Sequence, residues 1–181
     1  MIEPAVAFWR RLDRPGHDAA TIEKVDSGWV LTGFAVFSEN GATGLRYQLD
    51  LEADFSTRGA RIEGLRDGRR FNHSFCREGG WSLDGKPVEG LDDLVHLDFG
   101  FTPATNLAQL RRLSLTLGQT AELTVAWLDV FAGTLAPLGQ QYQRLSDKIY
   151  AYEAPAFGYA DELEVDPVGF VVRYPRLWEV E

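Results

Sequence analysis

The residues of this chain best suited to chemistry are a His–Asp pair near the start and several arginines set among tyrosines. His17-Asp18 comes first. A neutral imidazole beside a carboxylate can act as a general base, and Pro15-Gly16 would fix the loop that presents it. The same pair also fits a structural role, with Asp18 capping the next segment and His17 tying the loop to the body. No nucleophile phrase such as Gly-x-Ser-x-Gly accompanies it, so the structural role ranks first, ligand binding second and catalysis third. His96-Leu97-Asp98 sets two metal-ligating residue types on one strand face, but a metal needs three or four converging ligands. His17, His73 and His96 are far apart in sequence, so neither a metal nor a cofactor is expected.

The arginines pose a different question. Arg58 shares strand parity with the apolar Ala60 and Ile62, which places it on an inner face. A charge there requires a partner, either an internal carboxylate or an anionic or hydroxyl-rich ligand. Arg61 stands close by in the same run. Arg111-Arg112 raises the same issue, because adjacent strand residues point to opposite faces and one of the two must face inward. Tyr142 and Arg144 share a strand face, and Tyr150 and Tyr152 share one on the next strand. Rings and guanidinium forks of this kind suit sugars and phosphates, although most such tyrosines are ordinary sheet residues.

Three irregular phrases stand apart from the strand pattern. They are Arg11 to Ala20 (Arg-Leu-Asp-Arg-Pro-Gly-His-Asp-Ala-Ala), Asp98 to Asn106 (Asp-Phe-Gly-Phe-Thr-Pro-Ala-Thr-Asn) and Tyr174 to Trp178 (Tyr-Pro-Arg-Leu-Trp). Each mixes charge, Pro or Gly and an apolar anchor, as binding loops on a rigid scaffold do.

The elements that must position these residues are strands. Leu45, Tyr47, Leu49, Leu51 and Ala53 alternate with polar residues, and Trp29 to Phe37 reads as a central strand, with Asn40-Gly41 in the loop between the two. Thr57–Arg66 and Arg69–Arg77 flank Asp67-Gly68, a type I′ hairpin signal. A second hairpin turns at Asp84-Gly85, with Pro87 on an unpaired edge. Residues 90–112 read as loop with one helical turn, Thr102-Pro103 opening it. Strands then resume at Leu113-x-Leu115-x-Leu117, at Leu123 to Trp127, and in pairs around Ser146-Asp147 and around 166–169. About ten strands with short turns predict one antiparallel β roll, barrel or sandwich in a single domain, 1–181.

At 181 residues, with 45% hydrophobic and 25% charged side chains, the chain can bury a substantial core. Its 5 Trp, 6 Tyr and 11 Phe exceed what a modest core needs and would suit a cavity for apolar or ring-shaped ligands. A net charge of −9 argues against nucleic acid and anionic membranes as bulk partners. Cys76 is the lone cysteine, so no intramolecular disulfide forms. The start shows no secretory pattern and no run is long enough to span a membrane, so a cytoplasmic location is expected.

The phrases Arg11-Leu12-Asp13-x-Pro15-Gly16-His17-Asp18-Ala19, Phe101-Thr102-Pro103-Ala104-Thr105-Asn106 and Arg111-Arg112-Leu113 resemble the glycolipid-binding protein family of bacteria, first described as a domain of unknown function. Thr57-Arg58, Trp81-x-x-Asp84-Gly85, Tyr142-x-Arg144-Leu145, Val165-Asp166-x-x-Gly169 and Tyr174-Pro175-x-Leu177-Trp178 follow in the family's order, over nearly the whole chain. Leu107-Ala108-Gln109-Leu110 departs from the family's Thr-Leu-Pro-Ile run, and Phe55 stands where Trp is common. The resemblance implies a spiral β-roll that binds a glycolipid, and it supplies no catalytic residue to carry over to this chain.

The expectation is therefore a non-enzymatic protein that holds a glycolipid or other amphipathic small molecule in the concave face of the roll. Arg58, Arg111 or Arg112, Tyr142 and Arg144 would hold the polar head, with His17 and Asp18 at the rim. The alternatives are a small hydrolase or isomerase using His17 with Asp18 or Asp98, and an interaction protein without a pocket. The sequence assigns no oligomeric state.

Overall fold

The computed structural model describes residues 5–39 and 41–181. The first half of the chain gives β1 (Ala5–Arg11), β2 (Gly16–Val25), β3 (Gly28–Ser38), β4 (Ala42–Leu51), β5 (Thr57–Arg66), β6 (Arg69–Arg77), β7 (Trp81–Leu83) and β8 (Lys86–Val88). The second half gives β9 (Leu97–Phe99), the helix α1 (Asn106–Leu113), β10 (Thr120–Asp129), β11 (Thr134–Arg144), β12 (Ile149–Ala154), a 3-10 turn (Pro155–Phe157), β13 (Tyr159–Val165), β14 (Val171–Tyr174) and β15 (Trp178–Val180). The chain is mainly β. All fifteen strands form one open sheet in the order 8-7-6-5-4-3-2-1-15-14-13-12-11-10-9. Neighbours are antiparallel except β9 and β10.

Period-two patterning builds this sheet. On β3 and β4 the buried residues alternate with exposed ones, and Leu31, Ala35, Phe37, Leu45, Tyr47 and Leu49 face the core. The hairpins turn where expected: Asp67 and Gly68 have φ of 48° and 77°, Asp84 and Gly85 of 52° and 75°. Pro87 lies on β8, an edge strand, where a missing N–H breaks no ladder bond. The Asn40-Gly41 loop lies partly outside the described residues, because Asn40 is not among them.

Two expectations for residues 102–117 are corrected. Leu113-x-Leu115-x-Leu117 does not form a strand, since Leu113 closes α1 and Leu117 is 70% exposed. The helix runs eight residues and buries Asn106 to Leu110, so its turn of core contacts outweighs the short alternation that follows. Thr102-Pro103 does not open it. The N-cap is Thr105, whose hydroxyl goes elsewhere.

The strand count exceeds ten chiefly because residues 5–25 form β1 and β2. The His17-Asp18 stretch is thus strand, not loop. Its alanines are weak β-formers, but pairing with β1 on one side and β3 on the other overrides propensity. β1 also joins the two halves of the sheet through Trp9 to Arg11 pairing with β15.

Candidate functional site

A cavity of about 470 Å3 opens between the 98–106 segment and the inner face of the C-terminal strands. All three irregular phrases meet in it. Arg11, Asp13 and Arg14 come from the first, Asp98 to Thr102 and Asn106 from the second, and Tyr174, Leu177 and Trp178 from the third.

Arg11 ends the inner row of β1, after Ala7 and Trp9. Its side chain is only 7% exposed. The guanidinium lies 5.6 Å from the Phe37 ring centroid and 5.1 Å from that of Trp178. Its Nε donates to Asp13 Oδ1 at 2.8 Å, and Glu39 lies 3.6 Å from Nη2. Arg14 pairs with the same two carboxylates. Burial raises the Asp13 pKa, but hydrogen bonds and charge from Arg11 and Arg14 outweigh it and hold the carboxyl below its ordinary range. Among the described residues the buried Nη1 of Arg11 has no partner. Such a donor is costly to leave unmade, and here it belongs to a residue lining a cavity.

The polar side of the cavity centres on Asp98. Thr105 donates to its Oδ1 at 2.5 Å and Gln140 to its Oδ2 at 2.7 Å, while burial pushes its pKa up. Next to it Asn106 Nδ2 donates to the Tyr142 hydroxyl at 2.6 Å, which donates to Gln109 Oε1 at 2.7 Å. Gln140 Oε1 has no hydrogen-bond partner among the described residues. The remaining wall is aromatic: Trp127 edges onto Phe157 at 5.1 Å, and Tyr159 and Tyr174 meet at 5.1 Å. Stacking surface and buried amide and carboxyl groups together suit hydroxyl-bearing rings with an apolar face.

A second buried cluster holds the loop that frames the cavity. Tyr47 donates to Asp18 Oδ2 at 2.8 Å, and Thr102 donates to the same oxygen. Burial pushes the Asp18 pKa up to about 7, and the hydrogen bonds from Thr102 and Tyr47 only partly oppose it. Tyr47 reaches Asp18 because its cross-strand neighbour is Gly33, where a Cβ would stand 2.2 Å from the tyrosine ring. Gly33→Ala is therefore expected to destabilise the chain by roughly 1–3 kcal/mol and to free the Tyr47 hydroxyl, read by chemical denaturation and by the tyrosine's titration.

None of the seven residues expected at the site lines this cavity. His17 and Asp18, adjacent on β2, fall on opposite faces: His17 stacks on Phe8 at 5.5 Å, with Glu181 3.3 Å from Nε2, while Asp18 is fully buried. Strand alternation thus separates the pair that a shared base mechanism needs. Arg58 escapes the parity argument through a β-bulge. Asp50 pairs with Gly59 and Leu51 with Thr57, which leaves Arg58 as the extra residue. It reaches Glu52 at 3.6 Å and Ser27. Arg111 and Arg112 sit in the last helical turn and both are exposed, one over the Phe55 ring at 5.3 Å, the other paired with Asp54. Tyr142 is buried in the polar network below the cavity. Arg144 donates to the Leu115 carbonyl at 2.8 Å and pairs with Asp147, so it braces the loop after α1.

Missed were Arg11, Trp127, Tyr159 and Trp178. The signal for Arg11 was present, because Ala5-x-Ala7-x-Trp9-x-Arg11 puts a charge at the end of an apolar row. Among the described residues no group of three or more His, Cys, Asp or Glu could hold a metal, and no helix is long and apolar enough to cross a membrane.

The crystal structure of a DUF1089 family protein from Pseudomonas aeruginosa is similar to this chain in fold, with a TM-score of 0.69 and 23% sequence identity. The alignment covers 99% of this chain and 92% of that one. No curated protein matches the chain. The profile of the family described as "Putative glycolipid-binding" matches residues 6–180, and the chain belongs to that family.

Proposed function

We propose that this protein binds a glycolipid in the cavity framed by the 98–106 segment, with the sugar against the aromatic wall. The observation that carries this reading is the Arg11 guanidinium, buried against Phe37 and Trp178 in the wall of a cavity of ligand size, with a donor that has no partner among the described residues. The Asp98 and Asn106 side supplies further hydrogen bonds, and the rings of Trp127, Tyr159 and Tyr174 offer stacking faces. The family's description points the same way. Arg58, Arg111, Arg112 and Arg144 are not part of this reading, since each is engaged outside the cavity.

Native mass spectrometry of gently purified protein, followed by denaturing extraction, tests it. A discrete extra mass that extracts as a glycolipid is expected. In titrations with octyl glucoside below its micelle concentration, tryptophan fluorescence should change saturably. Arg11→Lys, which keeps the charge but loses the planar fork, should weaken that binding by roughly tenfold. A clean apo mass together with no response to alkyl glycosides would sink the reading.

A further inference from the structure

A second concavity, of about 320 Å3, lies where the inner face of β4 to β6 meets the β10–β11 turn. Thr43, Arg66 and Arg69 form one cross-strand row there, with Thr43 paired to Arg66 and Arg66 to Arg69. We propose that this cleft binds the phosphate group of a ligand.

Like charges directly opposite each other on antiparallel strands are destabilising, and Arg66 faces Arg69 in that way. Among the described residues neither arginine, nor the adjacent Arg70, has a carboxylate within ion-pair distance, although the protein's net charge is −9. The nearby acids are engaged elsewhere. Asp67 accepts from the Ala42 amide, Asp129 from the Phe131 and Ala132 amides, and Asp84 from the Ser74 amide while lying 2.9 Å from His73 Nδ1.

An independent observation marks the same spot. Thr43 is only 5% exposed, and its buried hydroxyl has no partner among the described residues while the residue lines the cleft. His73 also lines it, with Nδ1 engaged by Asp84 and its Nε2 edge next to Gly133, where a Cβ would come within 3.5 Å. Two guanidinium forks and a hydroxyl are the donor set that phosphate oxygens take. A single anion would satisfy the orphaned hydroxyl and neutralise the facing arginines together.

The cleft shares Phe131 with the aromatic cavity, and Arg66 lies over that ring at 5.1 Å. If the glycolipid reading above holds, one phosphate-bearing amphiphile can occupy both sides of Phe131. The phosphate site itself stands on its own geometry.

The test is titration of the full chain with inorganic phosphate against chloride at matched ionic strength, followed by amide NMR and thermal unfolding. Saturable shifts at Thr43, Arg66, Arg69 and Gly133 are expected, along with a rise in Tm. Combining Arg66→Gln with Arg69→Gln should weaken phosphate binding roughly tenfold or more. In chloride alone, Arg69→Gln should raise Tm by roughly 1–2 °C, because it removes like-charge opposition. Absence of saturable shifts, shifts that survive the double substitution, or a lower Tm for Arg69→Gln in chloride each overturn the proposal.

Phosphatidylcholine vesicles with and without phosphatidylglycerol identify the source. Binding that depends on phosphatidylglycerol assigns a lipid phosphate, whereas a response to free phosphate alone assigns a soluble phosphate ester. Octyl glucoside reports on the aromatic cavity separately. Phosphate binding without a glycoside response would retire the glycolipid reading and leave this site standing, and the reverse result would do the opposite.

Discussion

Asp18→Asn makes the protein more stable at pH 8 and less stable, by about 1–2 kcal/mol, at pH 4. Asp18 titrates at about 7 in the folded chain, against an ordinary carboxyl value of 3.8. Between those values the folded chain holds a proton that the unfolded chain has released, so stability falls as pH rises. Below pH 4 both states are protonated and no penalty exists. Above pH 7 the penalty is complete, at roughly 1.4 kcal/mol per pH unit of displacement, or about 4–5 kcal/mol.

Asparagine keeps an acceptor for Tyr47 and Thr102 but never ionises, so the variant escapes this loss. Its amide nitrogen would fall where Asp18 Oδ1 has no partner, which subtracts about 1–2 kcal/mol at every pH. Urea unfolding of both proteins from pH 4 to pH 8 measures the difference. Parallel stability curves would show that Asp18 is ionised at no unusual cost, and that its charge is stabilised by something beyond these two hydroxyls.

Trp9→Ala is expected to destabilise the chain by about 3–5 kcal/mol and to lower Tm by roughly 10 °C. Trp9 is completely buried, edges onto Phe170 at 5.5 Å, and donates from Nε1 to the Val171 carbonyl at 2.7 Å. It does so at the seam of the sheet, where β1 pairs with β15 over only three residues. Removing the indole therefore leaves a cavity and an unpaired carbonyl where the two halves meet. Val6→Ala, one strand face away and 65% exposed, should change stability by less than about 0.5 kcal/mol. Equal effects of the two substitutions in denaturant unfolding would refute the packing argument.

Much of the fold was legible because it follows local rules. Thr57–Arg66 and Arg69–Arg77 alternate and turn at Asp67-Gly68, and they form β5 and β6 with those same bounds. The candidate site was legible at the level of segments. The three irregular phrases were singled out by composition, and they converge on one cavity. Residue assignments fared differently, because they relied on strand parity. Parity fails at Arg58, where a bulge inserts a residue, and at Arg111-Arg112, where the backbone is helical. It would have succeeded at Arg11, whose strand is regular to its end.

Alternation and turn residues sufficed to define a mainly β chain, since each depends on neighbours a few positions apart, whereas roll, barrel and sandwich stayed open. Local rules do not reach the pairing of β1 with β15, the approach of Thr102 to Asp18 across 84 positions, or the placing of Phe131 between two concavities. Those contacts join segments distant in sequence, and only the curl of the sheet brings them together. It also decides which charges are buried, and so leaves Arg11 with a donor unpartnered among the described residues, Asp18 with a raised pKa, and Arg66 facing Arg69.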